Sequence, residues 1–265
     1  MRIDINNCSS PGASFTENTN RVLICTLQWI RENNYPVIEF KTLRTILEKK
    51  YGVNNNNARN IYPLLKNCGF INYSKGVIET EHFFSKTGLA YVLALETISL
   101  LNSDEDEKVI REAKMKADTI IKTMILNGLY VLQSNPETNY APELRDFMRY
   151  LVRYGKADKK EFAYLLYERK RNDNFLDTMH ALIQRYRDGI EDIEVVVKVR
   201  DDTCGEGGSN IAKRAESIAF LTSYNYFTNL LKQAGLIEKG DGCYIVVENK
   251  RKSLQELSEV DCGGK

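Results

Sequence analysis

Asparagine, arginine and lysine crowd into one short stretch of the chain, NNNNARNIYPLLK, running from Asn54 to Lys66. An asparagine amide matches the N6/N7 edge of adenine, an arginine fork matches guanine O6 and N7, and a lysine suits a backbone phosphate. Asn55, Asn56, Arg59, Asn60 and Lys66 are therefore candidates for contact with a nucleic-acid duplex, and Tyr73 and Lys75 follow close behind them. The competing reading of the asparagines is local: such a run also makes a loop whose side-chain oxygens cap the next helix. A second group, Lys213, Arg214, Ser217, Asn225 and Asn229, lies in a segment that also holds Ser223, Tyr224, Tyr226 and Lys232. Tyr224 and Tyr226 are two residues apart and cannot share a helix face, so at least one of them is expected in the core. The run Glu168-Arg169-Lys170-Arg171-Asn172 reads as a solvated charge cluster in preference to a phosphate contact.

No catalytic constellation assembles from the remaining residues. Glu248-Asn249-Lys250, after the apolar run CYIVV, looks like the acidic-x-Lys half of a metal-dependent nuclease, in which carboxylates hold Mg²⁺. Its partner acid is not evident, because Asp241 belongs to the turn before the same strand, and the end of a β-hairpin is the better reading. Glycines in CGEGGSN at 204–210 could offer backbone N–H groups to a phosphate, but the lysine of a phosphate-binding loop and the spacing of a dinucleotide fingerprint are both missing. That segment reads as a linker. His82 and His180 stand apart from any nucleophile, and Cys8, Cys25, Cys68, Cys204, Cys243 and Cys262 include no pair at the C-x-x-C spacing of a zinc site. No catalytic residue, metal or cofactor is expected in this chain.

The elements that must position these side chains follow from apolar periodicity. NRVLICTLQWIREN and EFKTLRTILEKKYG carry apolar residues at spacings of three and four, Gly52 ends the second, and ARNIYPLLKNCG supplies a third helix. GFINYS and GVIETEHFFS read as two strands joined at Lys75-Gly76. Helix, helix, helix, hairpin is the order of a winged helix, whose third helix enters the major groove. Helices are expected again over 86–101 and from Glu107 through about Gly128, with the polar stretch QSNPETNYAP at 133–142 as a boundary. PELRDFMRYLVRYG, DKKEFAYLLYERK and NFLDTMHALIQRYRDG read as three more, with Gly155 and Gly189 as stops. Val195, Val196, Val197 and Val199 suggest a strand, a long helix is expected from Ile211 to about Gln233, and AGLIEKGDGCYIVVEN reads as a hairpin. KNCGFINYSKGVIET and KQAGLIEKGDGCYIVVE share a grammar of helix end, Gly, apolar pair, turn and strand, the trace of an internal repeat.

The expected fold is mainly α with small β-wings (α+β), as tandem winged-helix subdomains over 1–103 and 142–265 with a linker helix over 104–141. With 43% apolar and 28% charged residues among 265, the chain is an ordinary globular one that can bury a real core. Its 37 Lys+Arg against 36 Asp+Glu leave a net charge of only +1, so any basic face must come from local segregation of charge. The N-terminal sequence lacks the apolar stretch of a secretory signal, and the apolar run LAYVLAL falls far short of the ~20 residues of a membrane span. A cytoplasmic protein with reduced thiols and no membrane partner is expected.

Several of these landmarks, in this order, resemble the N-terminal DNA-recognition region of AlwI-like type IIS restriction endonucleases and related nicking endonucleases. In ARNIYPLLKNCGFI, Arg59, Pro63, Gly69 and Phe70 match the family's Arg-three-residues-Pro helix with its following Gly and apolar pair. FSKTGLAYV, with Thr87 and Gly88, is similar to the family's Thr-Gly helix start, while APELRDFMRYLVRYGKADKKEFAYLL and NIAKRAESIAFLTSYNYFTNLLKQAGLI resemble the later helices. The resemblance spans most of residues 20–250. It implies sequence-specific binding of double-stranded DNA at an asymmetric site. It also implies a separate Mg²⁺-dependent nuclease, as a C-terminal domain or as a partner subunit, within a type II site-specific deoxyribonuclease system. From the residues alone, two other readings compete: a transcriptional regulator or plasmid replication initiator, and a protein-docking module.

Overall fold

The computed structural model describes residues 1–34, 36–72, 76–101, 107–198 and 217–260. The chain is mainly helical with small sheets and divides into two compact units, one of residues 11–138, the other of residues 1–10 with 139–259. No helix among the described residues is long and apolar enough to cross a membrane.

In the unit of residues 11–138, α1 (Glu17–Glu32) starts at Thr16, whose hydroxyl accepts from the Thr19 N–H. A strand, β2 (Val37–Glu39), leads directly into α2 (Phe40–Tyr51), which stops at Gly52 in a left-handed conformation with φ 64°. The Asn54 side chain then accepts from Asn56 N–H at 2.8 Å and starts α3 (Asn55–Asn67), satisfying one of the N–H groups a helix start leaves unpaired. Strand β3 (Val77–Glu79), a 3₁₀ turn at Thr80–His82, α4 (Lys86–Leu100) and α5 (Glu107–Ser134) complete it. Val22, Leu23 and Ile30 of α1, Leu43 and Leu47 of α2, and Ile61, Leu64 and Leu65 of α3 are all buried, each contributing roughly 1.5–3 kcal/mol. Tyr62 reaches Thr26 by a buried hydroxyl–hydroxyl hydrogen bond of 2.8 Å.

Of the hairpin expected across Lys75-Gly76, residues 73–75 lie outside the described residues. Val77–Glu79 pairs antiparallel with β2, in the register Ile38↔Ile78, while Ile71 bridges Phe84 beyond the 3₁₀ turn. The strand missed in the sequence, Val37–Glu39, is only three residues long and follows Pro36, whose carbonyl accepts from the Thr80 hydroxyl at 2.6 Å. Three residues are too few for the period-2 signal to register. Helix α5, expected as a linker within 104–141, packs on α4 and α3 and belongs to this unit.

The other unit begins with β1 (Arg2–Asn6), which had been expected to belong to the first subdomain and instead pairs in parallel with β5 (Glu194–Lys198), a strand of this unit. Ile3 and Ile5 face inward opposite Val195 and Val197, all four buried. Between them run α6 (Ala141–Tyr154), β4 (Lys156–Ala157), α7 (Lys159–Glu168), α8 (Phe175–Thr178) and α9 (His180–Arg187). The expected single helix over 174–189 is thus broken at Met179. Asp158 and Glu161 form a reciprocal capping box at the start of α7. After a 3₁₀ turn at Ile218–Phe220 come α10 (Thr222–Gln233), β6 (Ile237–Lys239), β7 (Tyr244–Val246) and, past a second 3₁₀ turn, α11 (Arg251–Ser258). The long helix expected from Ile211 therefore begins, among the described residues, only at Thr222. Strands β4, β7 and β6 form one antiparallel sheet in that order.

The two units share a plan: helix, short strand, helix, helix, then a strand that returns antiparallel to the first, β2 with β3 in one and β4 with β7 in the other. Residues 169–221 stand between the second and third helices of the second version. The third helices end identically. Gly69 at φ 68° and Gly235 at φ 72° each follow a helix whose last carbonyls are closed by the same pair of bonds, Gly69 N–H to Lys66 and Phe70 N–H to Leu65, Gly235 N–H to Lys232 and Leu236 N–H to Leu231.

Candidate nucleic-acid interface

Helix α3 buries Ala58, Ile61, Tyr62, Leu64 and Leu65 and leaves Asn56, Arg59, Asn60, Pro63 and Lys66 exposed. These positions, three or four apart, form one polar stripe. Pro63 lies inside the helix and has no N–H, so the carbonyl of Arg59 lacks its usual i→i−4 donor on that stripe. Of the expected residues, Asn55 is half-buried and its amide donates to Glu48 at 3.5 Å, which draws it away from the stripe. Tyr73 and Lys75 lie outside the described residues.

Beside the stripe, α2 and α3 flank an open cleft of about 610 Å³. Phe40, Lys41 and Arg44 of α2 line one side, and Arg59, Asn60 and Pro63 of α3 line the other, with Pro11-Gly12 completing it and no carboxylate among the described lining residues. The Arg44 guanidinium sits 4.9 Å from the Phe40 ring centroid, a cation–π contact, and its Nε is buried without a hydrogen-bond partner among the described residues. No ion pair between described residues engages Lys41, Arg44 or Arg59, whereas Arg31 is paired with Glu96 and Arg187 with Glu161. Lys41 and Arg44 were missed in the sequence, although three residues apart on the polar face of α2 they carried a signal.

Helix α10 presents the corresponding stripe. Aligning Gly69 with Gly235 places Ala58, Ile61, Leu64 and Leu65 on Tyr224, Phe227, Leu230 and Leu231, all buried. The same alignment sets Arg59 on Asn225, Asn60 on Tyr226, Pro63 on Asn229 and Lys66 on Lys232. Asn225 and Lys232 are exposed, Tyr226 and Asn229 half-exposed, and Tyr224 is the tyrosine that goes to the core, where its hydroxyl donates to the Ala157 carbonyl at 3.0 Å. Ser217 is placed differently from the expectation, as the cap of a 3₁₀ turn, its hydroxyl accepting from Ala219 N–H at 3.2 Å. Lys213 and Arg214 lie outside the described residues, as does the 204–210 glycine segment.

The flanks of this second stripe differ from those of the first. With both helix starts aligned, Glu39 on Asp158, Leu43 falls on Phe162 and Leu47 on Leu166, all buried, so Arg44 corresponds to buried Ala163 and Lys41 to Lys160, which is paired with Asp192. Arg169, of the charge run, is structural: it bridges Glu143 at 2.6 Å and Asp146 at 2.9 Å. Burial raises the Asp146 carboxyl above its usual range against the opposing pull of Arg169. Glu248, Asn249 and Lys250 form an exposed 3₁₀ turn. Among the described residues no group of three or more His, Cys, Asp or Glu could hold a metal ion. No protein family, curated protein or solved structure matches the chain, so the functional reading rests on this geometry.

Proposed function

We propose that the chain binds double-stranded DNA sequence-specifically through two winged-helix units, as the recognition part of a type IIS-like restriction system. In this reading α3 lies in the major groove, Arg59 and Asn60 address base edges, Asn56 and Lys66 contact base or phosphate at the two ends, and α10 is its counterpart in the second unit. Cleavage would belong to a Mg²⁺-dependent nuclease domain or subunit, and the protein would act in the cytoplasm. The observation that carries the reading is the α3 stripe set beside a cleft with three cationic side chains and, among the described residues, no carboxylate, in a protein whose net charge is only +1. Segregated positive charge of this kind supplies the salt-sensitive part of duplex binding, while the amide and guanidinium groups supply base discrimination. The experiment is selection of duplexes from a random pool, with affinity of the winner followed against salt and Mg²⁺-dependent cutting assayed alongside. A short asymmetric enriched sequence with a steep negative salt slope is expected. A palindromic sequence would move the assignment to a regulator or replication initiator, and no enrichment at any salt would refute duplex recognition.

A further inference from the structure

We infer that the cleft between α2 and α3 is a clamp for a single backbone phosphate of the duplex, with Lys41 and Arg44 as its jaws, and that the matching positions of the second unit form no such clamp. This rests on the reading of the chain as a DNA binder and adds to it which residues set the depth and register of α3. Arg44 is held in advance by the Phe40 ring, so little rotamer freedom is lost when an anion arrives. Among the described residues its Nε, already out of water, has no acceptor, which leaves the guanidinium under-satisfied until an anionic oxygen approaches the cleft. Lys41 is exposed one turn away with no carboxylate to neutralise it, and the lining offers a phosphate cations and the Asn60 amide without a repelling charge. Pro63 and Phe40 form apolar walls, which suits a singly charged diester with carbon substituents on both sides better than a fully hydrated small anion. At the matching positions of the second unit the arginine is replaced by buried Ala163, and Lys160 is spent on Asp192. One unit thus anchors the backbone through this pair, and the matching positions of the other offer no counterpart.

The test uses Lys41→Gln, Arg44→Gln, the double variant and Lys160→Gln in the full chain, titrated with cognate and scrambled duplexes at several salt concentrations. For one lost phosphate contact the slope of log K against log salt becomes shallower by about 0.9, so between 50 and 200 mM salt the wild type loses roughly 3.5-fold more affinity than the double variant. The loss is expected to be equal on both duplexes, and Lys160→Gln is expected to leave the slope unchanged. Exposed Lys41 serves as the second variant should Arg44→Gln disturb packing on Phe40. A slope change near two for the double variant, a loss confined to the cognate duplex, or an equal change on Lys160→Gln would overturn the clamp while leaving duplex recognition intact. Wild-type protein that binds inorganic phosphate in calorimetry but no duplex at any salt would overturn both, and would assign the cleft to a free anion.

Discussion

Replacing Gly88 by alanine measures how closely the first turn of α4 must lie against the segment that leaves α3. A Cβ at this position falls 1.9 Å from the Phe70 carbonyl oxygen and 2.7 Å from its carbon, both backbone atoms that no side-chain rotation can move aside. Real Cβ atoms essentially never come within 3.0 Å of a neighbour, so α4 has to retreat by about 1 Å. The same carbonyl accepts from Ser85 N–H at 3.0 Å, and the Phe70 ring is wedged between Phe15 and Tyr91 at centroid distances of 5.7 and 5.2 Å. Overpacking of this kind costs roughly 1–3 kcal/mol, and disturbing a hydrogen bond to a buried carbonyl costs about 1–3 kcal/mol more. Against this, alanine in a helix is favoured over glycine by about 1 kcal/mol. The net expectation is destabilisation of about 3 kcal/mol. The single tryptophan, Trp29, is buried in α1 of the same unit, so its fluorescence in urea reports on the affected region. With a slope of about 2 kcal/mol per molar urea, the midpoint should fall by roughly 1.5 M at unchanged slope. A midpoint equal to or above wild type would mean that helix propensity decides at this site, and would refute the close approach as the reason for glycine.

Arg59→Ala should cost ~1–3 kcal/mol on the selected duplex and relax the preference at one base pair, read by repeating the pool selection; an equal loss on every sequence would remove Arg59 from base reading. Arg169→Ala leaves half-buried Glu143 without its cation and Asp146 with only the longer 3.7 Å pair to Arg149, so the melting temperature should drop by an amount equivalent to about 2–3 kcal/mol while the salt slope of DNA binding stays where it was. Glu32 accepts hydrogen bonds from Lys50, Tyr51 and Gln28, which hold its carboxyl down to about 2. A depressed carboxylate stabilises the fold above its ordinary value of 4.5 and loses that contribution as pH falls toward the depressed one, so melting temperature should decline less between pH 5 and 2 in Glu32→Gln than in wild type. Because the group is exposed, the difference should shrink in high salt, and an identical pH profile would dismiss the linkage.

Long periodic helices were legible because their apolar stripes repeat often enough to be unmistakable: Val22, Leu23 and Ile30 in α1, or Leu144, Phe147 and Leu151 in α6, all bury as the spacing implies. The stops at Gly52, Gly155 and Gly189 were legible because each glycine does adopt a positive φ. What escaped detection depends on partners distant in sequence. β1 is a strand only because β5, nearly two hundred residues later, pairs with it, and β2 is three residues whose role is defined by β3. The α3 stripe was legible from residue type and the cap from the asparagine run, which turned out to serve as both. Lys41 and Arg44 were legible as a polar face but not as part of the site, since nothing local reveals that α2 flanks the same cleft as Arg59.

The plan that the two units share sharpens the functional reading because it separates what the plan requires from what each surface does with it. Positions that fill the core under the third helix keep apolar character in both versions, Ile61 with Phe227, Leu64 with Leu230 and Leu65 with Leu231, since a polar group there would lose its hydration without a partner. The glycine that reverses the chain is kept in both because the next residue, Phe70 or Leu236, has to turn back into the core. Exposed positions carry no such demand, and there the two differ: Arg59 aligns with Asn225, Asn60 aligns with Tyr226, and the Arg44 position is taken by a buried alanine. Of the three cations that line the cleft in one unit, Arg59 matches Asn225, Arg44 matches buried Ala163 and Lys41 matches Lys160, which is paired with Asp192, a difference that the shared packing plan does not require. The unit of residues 11–138 is accordingly where an anionic partner should first be sought.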